Sequence, residues 1–68
     1  MAEIITAVYA SEDTLENVQD DLVSTGIPQE KIRVSPDKKQ VQVMGPITAE
    51  AEIEEILKRH SPIEIHTS

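Results

Sequence analysis

The side chains able to hold a metal, move a proton or attack a carbonyl are few and scattered. His60 and His66 are the only histidines, and Glu64 stands two residues before His66. On an extended strand that spacing puts both on one face. A Glu64 and His66 metal pair is therefore conceivable, but two ligands on an exposed edge are too few for a zinc site. His60, in "ILKRHSP", reads instead as a cation complementing the negative end of a helix dipole. Ser11, Thr14 and Ser24 lack an accompanying base and orienting group, so they are expected as caps and surface, not as nucleophiles. The chain has no cysteine, which excludes disulfides, thiolate zinc sites, iron–sulfur ligation and thiol catalysis, and fits a reducing compartment. No catalytic, cofactor-binding or metal-ligating residue is assigned, and an enzyme is not expected.

Charge is the stronger signal. The formal net charge is -7, yet "KIRVSPDKKQVQVMG" gathers four of the six basic residues, Lys31, Arg33, Lys38 and Lys39. Net acidity opposes nucleic acid and anionic lipid alike, because both are bound by Lys and Arg that displace counterions or meet negative head groups. The N-terminal "MAEIITAVYA" has no basic leader and carries Glu3, so it reads neither as a signal peptide nor as a transit peptide. No apolar run approaches the length of a membrane span. A soluble cytoplasmic protein is expected, and 68 residues allow one domain, residues 1–68.

The elements that must position these residues follow from periodicity. "IITAVY" (Ile4 to Tyr9) is β-branched and aromatic, as a strand covered on one side and partly on the other should be. Ser11 or Asp13 can cap a helix whose Leu15, Val18, Leu22 and Val23 share a face and whose first turn is acidic. Gly26 supplies its left-handed end, Ile27 folds back on Leu22, and Pro28 prevents continuation. "KIRV" and "VQVM" alternate around the turn formers of "SPDKKQ", which predicts a hairpin. Ile32, Val34, Val41 and Val43 point to one of its faces, and Lys31, Arg33, Gln40, Gln42 and Met44 to the other. Thr48 can cap a second helix with Ala49, Ile53, Ile56 and Leu57 inward and with Glu54 to Lys58 and Glu55 to Arg59 as i, i+4 pairs. Pro62 ends that helix, and "IEIH" is a last strand.

The order β-α-β-β-α-β, with right-handed crossovers placing both helices on one face of a four-stranded antiparallel sheet, predicts an α+β ferredoxin-like two-layer sandwich. The first and third strands are central; the second and fourth are edges. The run "AVYASEDTLENVQDDLVSTGIPQEKIRV" resembles the opening of small domains of bacterial general stress proteins, in which a strand ending in an aromatic precedes an acidic helix, a Gly and a second strand. The resemblance covers about half of the chain and implies no site residue. Other uses of the fold meet obstacles in particular residues. Tyr9 is the only aromatic, so no RNA-stacking platform exists. "YASED" stands where heavy-metal domains carry Cys-x-x-Cys, and its acids would repel the phosphate that an acylphosphatase loop cradles. "SPDKK" is too tight for the long loop of nitrogen-regulator trimers, and two glycines make no nucleotide-binding pattern.

Lys31 and Arg33 on an edge strand deter edge-to-edge pairing, as Pro36 and Pro62 do beside the two edges. A functional surface is expected on the sheet face opposite the helices, where Thr6, Arg33, Gln42, Met44, Glu64 and His66, joined by Ile4 and Val8, span all four strands. A face of that apolar content is commonly covered by a second copy or another protein. The sequence thus describes a non-enzymatic interaction or regulatory module that self-associates through this face or an edge. The alternative is a small-molecule sensor or minimal enzyme whose pocket forms between subunits, with Arg33, Glu64 and His66 as its polar groups.

Overall fold

Alternation along the first strand sets the architecture. In the protein's structure, a computed structural model that describes residues 2–46 and 49–67, strand β1 spans Ala2–Val8. Its Ile5 and Ala7 are buried, while Ile4, Thr6 and Val8 on the other face are partly open. Helix α1 (Glu12–Thr25) follows, then a single 3-10 turn (Gln29–Lys31), β2 (Ile32–Ser35), β3 (Gln40–Pro46), helix α2 (Glu50–Lys58) and β4 (Glu64–Thr67). The strands form one antiparallel sheet in the order β2-β3-β1-β4. Both helices lie on the face that carries Ile5, Ala7, Val41 and Val43, which is the expected ferredoxin-like two-layer sandwich with β2 and β4 at its edges.

The layers meet in one core. Leu15, Val18 and Leu22 of α1 and Ile53, Ile56 and Leu57 of α2 pack onto the buried residues of β1 and β3, with Ile27, Ile32, Val34, Ala49 and Ile65 at its margin. Each fully buried side chain of this kind contributes about 1.5–3 kcal/mol. The Ser11 hydroxyl caps α1, accepting from the Asp13 N–H at 3.2 Å. Gly26 closes the helix in the left-handed region at φ 113°, and the Ile27 N–H donates to the Leu22 carbonyl at 3.1 Å.

Several local expectations are corrected. Strand β1 starts at Ala2 and stops before Tyr9, whose N–H donates instead to the Lys39 carbonyl at 2.7 Å and whose ring is buried under α2. Val23 is 45% exposed, because the stripe Leu15, Val18 and Leu22 seats the helix and Val23 falls a quarter-turn beyond its centre. The Glu54 to Lys58 pair does not form; Glu54 Oε1 accepts from the Thr67 hydroxyl at 3.2 Å. Thr48, the expected cap of α2, lies outside the described residues, and Ala49 in front of the helix offers no side-chain cap.

Candidate interaction surface

The sheet face away from the helices is ordered by strand register. Arg33 on β2 lies opposite Gln42 on β3, Gln42 opposite Thr6 on β1, and Thr6 opposite His66 on β4. One straight row, Arg33, Gln42, Thr6, His66, therefore crosses the whole sheet. The Gln42 amide donates to the Thr6 hydroxyl at 3.3 Å, which fixes the middle of the row. On one side of it Ile4 pairs with Met44, and these side chains are 38% and 48% exposed. On the other side Ser35, Gln40, Val8 and Glu64 form the next row. The six residues expected to make a surface, Thr6, Arg33, Gln42, Met44, Glu64 and His66, do share this face.

They do not converge within one copy. Arg33 sits on one edge strand and Glu64 and His66 on the other, with β3 and β1 between, so their backbones are about 14 Å apart at ~4.8 Å per strand. The Glu64 carboxylate accepts from His66 Nε2 at 2.9 Å, both side chains being exposed. Among the described residues Arg33 forms no ion pair. A hollow of about 140 Å³ lies between Ile4, Lys31, Ile32, Arg33, Gln42 and Met44. A second, of about 230 Å³, opens between the end of α1 and the start of α2 beside Ile27, Met44 and Ile53. Both are smaller than the ~300–1,000 Å³ of ordinary ligand pockets.

Three polar arrangements off this face carry more electrostatic interest than the sequence suggests. His60, expected only to complement a helix dipole, has its Nε2 3.0 Å from Asp21 Oδ2, and Arg59 approaches Asp21 Oδ1 at 3.6 Å, so the end of α2 is tied to α1. Asp21, in the acidic helix α1, thus serves this junction. Tyr9 is 1% exposed and its hydroxyl donates to the Leu57 carbonyl at 2.8 Å; burial disfavours the phenolate and pushes its pKa up to about 12. Glu3 shares the helix-facing side of β1 with Ile5 and Ala7. Its carboxyl hydrogen-bonds that of Glu50 in the first turn of α2, which, with desolvation and repulsion from Glu3 and Glu54, raises the Glu50 pKa above the usual carboxylate range. Glu3 Oε2 is buried without a hydrogen-bond partner. The alternation that buries Ile5 was the available signal for this pair.

His60, just after α2, and His66, on β4, each stand beside their own carboxylate, and among the described residues no three His, Asp or Glu side chains are placed to hold a metal ion together. Among the same residues, no helix is long and apolar enough to cross a membrane. No family model matches the chain, and no curated protein or solved structure does either.

Proposed function

We propose that this chain is a small non-enzymatic interaction module that acts by self-association through its open sheet face. The observation that carries this is the flat, in-register row Arg33, Gln42, Thr6 and His66 bordered by the exposed Ile4 and Met44. Exposed apolar side chains scattered singly are ordinary, but Ile4 and Met44 pair across adjacent central strands, so they form a patch. Enzymes need an acid, a base or anion donors aimed at one point, and these polar groups lie side by side along a plane. The partner is a second copy or another protein, with neither nucleic acid nor membrane among the partners. The likeness of Ala7 to Val34 to domains of bacterial general stress proteins implies no chemistry that bears on this.

The test is the mass in solution. Sedimentation equilibrium from about 10 µM to 1 mM, a range suited to small weak interfaces, should show mass rising with concentration. Met44→Glu should return the protein to monomer with its circular dichroism unchanged, because a carboxylate buried without a partner opposes association. A monomer across the whole range, or association indifferent to Met44→Glu, would remove the proposal.

A further inference from the structure

Resting on that reading, the distribution of charge across the open face points to one arrangement of its occupant. We infer that a second copy stacks face to face about a twofold axis parallel to the strands, so that β2 of one copy lies over β4 of the other and Arg33 meets Glu64 of the second copy. The inference follows from symmetry and strand order. In a twofold dimer the same patch faces itself, and each contact occurs twice. With the axis along the strands, the order β2-β3-β1-β4 is laid over its own reverse. Since the rows keep their level along the axis, Arg33 then stands above His66, Gln42 above Thr6 and Met44 above Ile4. The Glu64 carboxylate, one row or about 7 Å along the strand and bonded to His66, lies within reach of the long Arg33 side chain.

Turning the axis across the strands puts β2 over β2. Arg33 would then oppose Arg33 of the second copy, with the nearby Lys31 adding repulsion. Pairing of two β2 edges into one continuous sheet brings the same cations together. Of these, only the first brings Arg33 within reach of the Glu64 carboxylate at both ends and sets apolar Ile4 and Met44 against each other in between.

Charge elsewhere on the molecule agrees. Nine of the thirteen acidic residues lie on α1 and α2, on the far side of the sheet. The open face itself carries Lys31 and Arg33 with Glu30 at one edge and Glu64 at the other, a near-balanced set, so it is the part of an acidic protein least opposed to approaching a copy of itself. Sheets stack about 10 Å apart with strands within about 30° of parallel, a gap that an Arg and a Glu side chain together bridge. The face is roughly 14 Å wide between its outer strands, which places the dimer below the usual ~1,200–2,000 Å² interface and makes it weak and concentration-dependent.

The experiment uses two single variants and their mixture. Arg33→Glu and Glu64→Arg each place like charges together twice per dimer, and each should weaken self-association about tenfold or more. Mixed, they form a heterodimer in which the two substituted positions face each other with opposite charge at one end, while the native Arg33 and Glu64 meet at the other. Sedimentation of the equimolar mixture should therefore recover wild-type association to within about threefold. Two variants that had merely failed to fold could not rescue one another, and both positions are exposed. Weakening by Glu64→Arg alone, with no effect of Arg33→Glu and no rescue on mixing, would overturn the stacked arrangement in favour of β4 edges pairing, while leaving self-association itself intact. A wild-type protein that stays monomeric would overturn both.

Discussion

Glu3 and Glu50 are two carboxyls that one proton serves better than none. The folded state holds that proton more tightly than the unfolded chain does, because the Glu50 pKa is raised by its hydrogen bond with Glu3, by desolvation and by neighbouring carboxylates. A raised carboxylate contributes stability that is fully present below its unfolded value of about 4.3 and is lost as pH rises through the folded value. Replacing Glu3 with Gln leaves a neutral amide that can donate to Glu50 and removes the repulsion. The expected result is a higher melting temperature at pH 7 for Glu3→Gln, with a flatter decline between pH 4 and 7 than wild type. Thermal melts across that range check it, and a lower melting temperature at pH 7 with an unaltered slope would refute it. Tyr9 follows the same sign at the alkaline end. Its contribution persists up to the ordinary tyrosine range and is lost as pH rises through about 12.

Among the elements, α2 packs tightly on the sheet at Gly45. A Cβ built on Gly45 would stand 2.8 Å from Ile53 Cδ1, and Ile53 is itself buried at 3% exposure. Gly45→Ala should therefore destabilise by about 1–3 kcal/mol through overpacking. Ile53→Val deletes the clashing methyl, so the double variant should be more stable than the sum of the two single losses predicts. Urea unfolding of the four proteins measures this, and strictly additive losses would mean that helix and strand move apart freely. Element ends tell a related story. Gly26 ends α1 where a left-handed residue is needed, whereas Lys39 in the hairpin turn and Ser61 after α2 take φ values of 54° and 55° without being glycine. Ser61 is held there by its N–H donating to the Lys58 carbonyl at 3.1 Å, and Lys39 by its carbonyl accepting from Tyr9.

For the molecule as a whole, the helical layer presents acid while the basic residues of Lys31, Arg33, Lys38 and Lys39 line one edge and the hairpin tip. The open face offers no aromatic, because Tyr9 turns into the core. Single-stranded nucleic acid is held by basic grooves that follow the backbone and by rings that stack bases. Titration of a fluorescent single-stranded RNA should show no binding at physiological salt up to about 100 µM protein, far above the micromolar range of ordinary non-specific binders. A salt-sensitive micromolar isotherm would contradict this and would assign the basic hairpin a role that the sheet face does not explain.

Much of this protein could be read before its structure. The period of the apolar residues distinguished two helices from four strands, Gly26 and Pro28 marked the end of α1, and right-handed crossovers left one sensible sheet order, since these are local or topological constraints. The surface residues were legible for the same reason: alternation alone puts Thr6, Arg33, Gln42, Met44, Glu64 and His66 on one face. Their alignment was not, because register is settled by how β1 sits between β3 and β4, and a shift along the strands would break the row that joins Arg33 to His66. Nor could the sequence show that Glu3 meets Glu50 or that His60 meets Asp21, pairs 47 and 39 positions apart. The helices brought those groups together when Leu22 and Leu57 sank into a shared core, and burial of apolar surface, not attraction between the charged groups, decided which of them became neighbours.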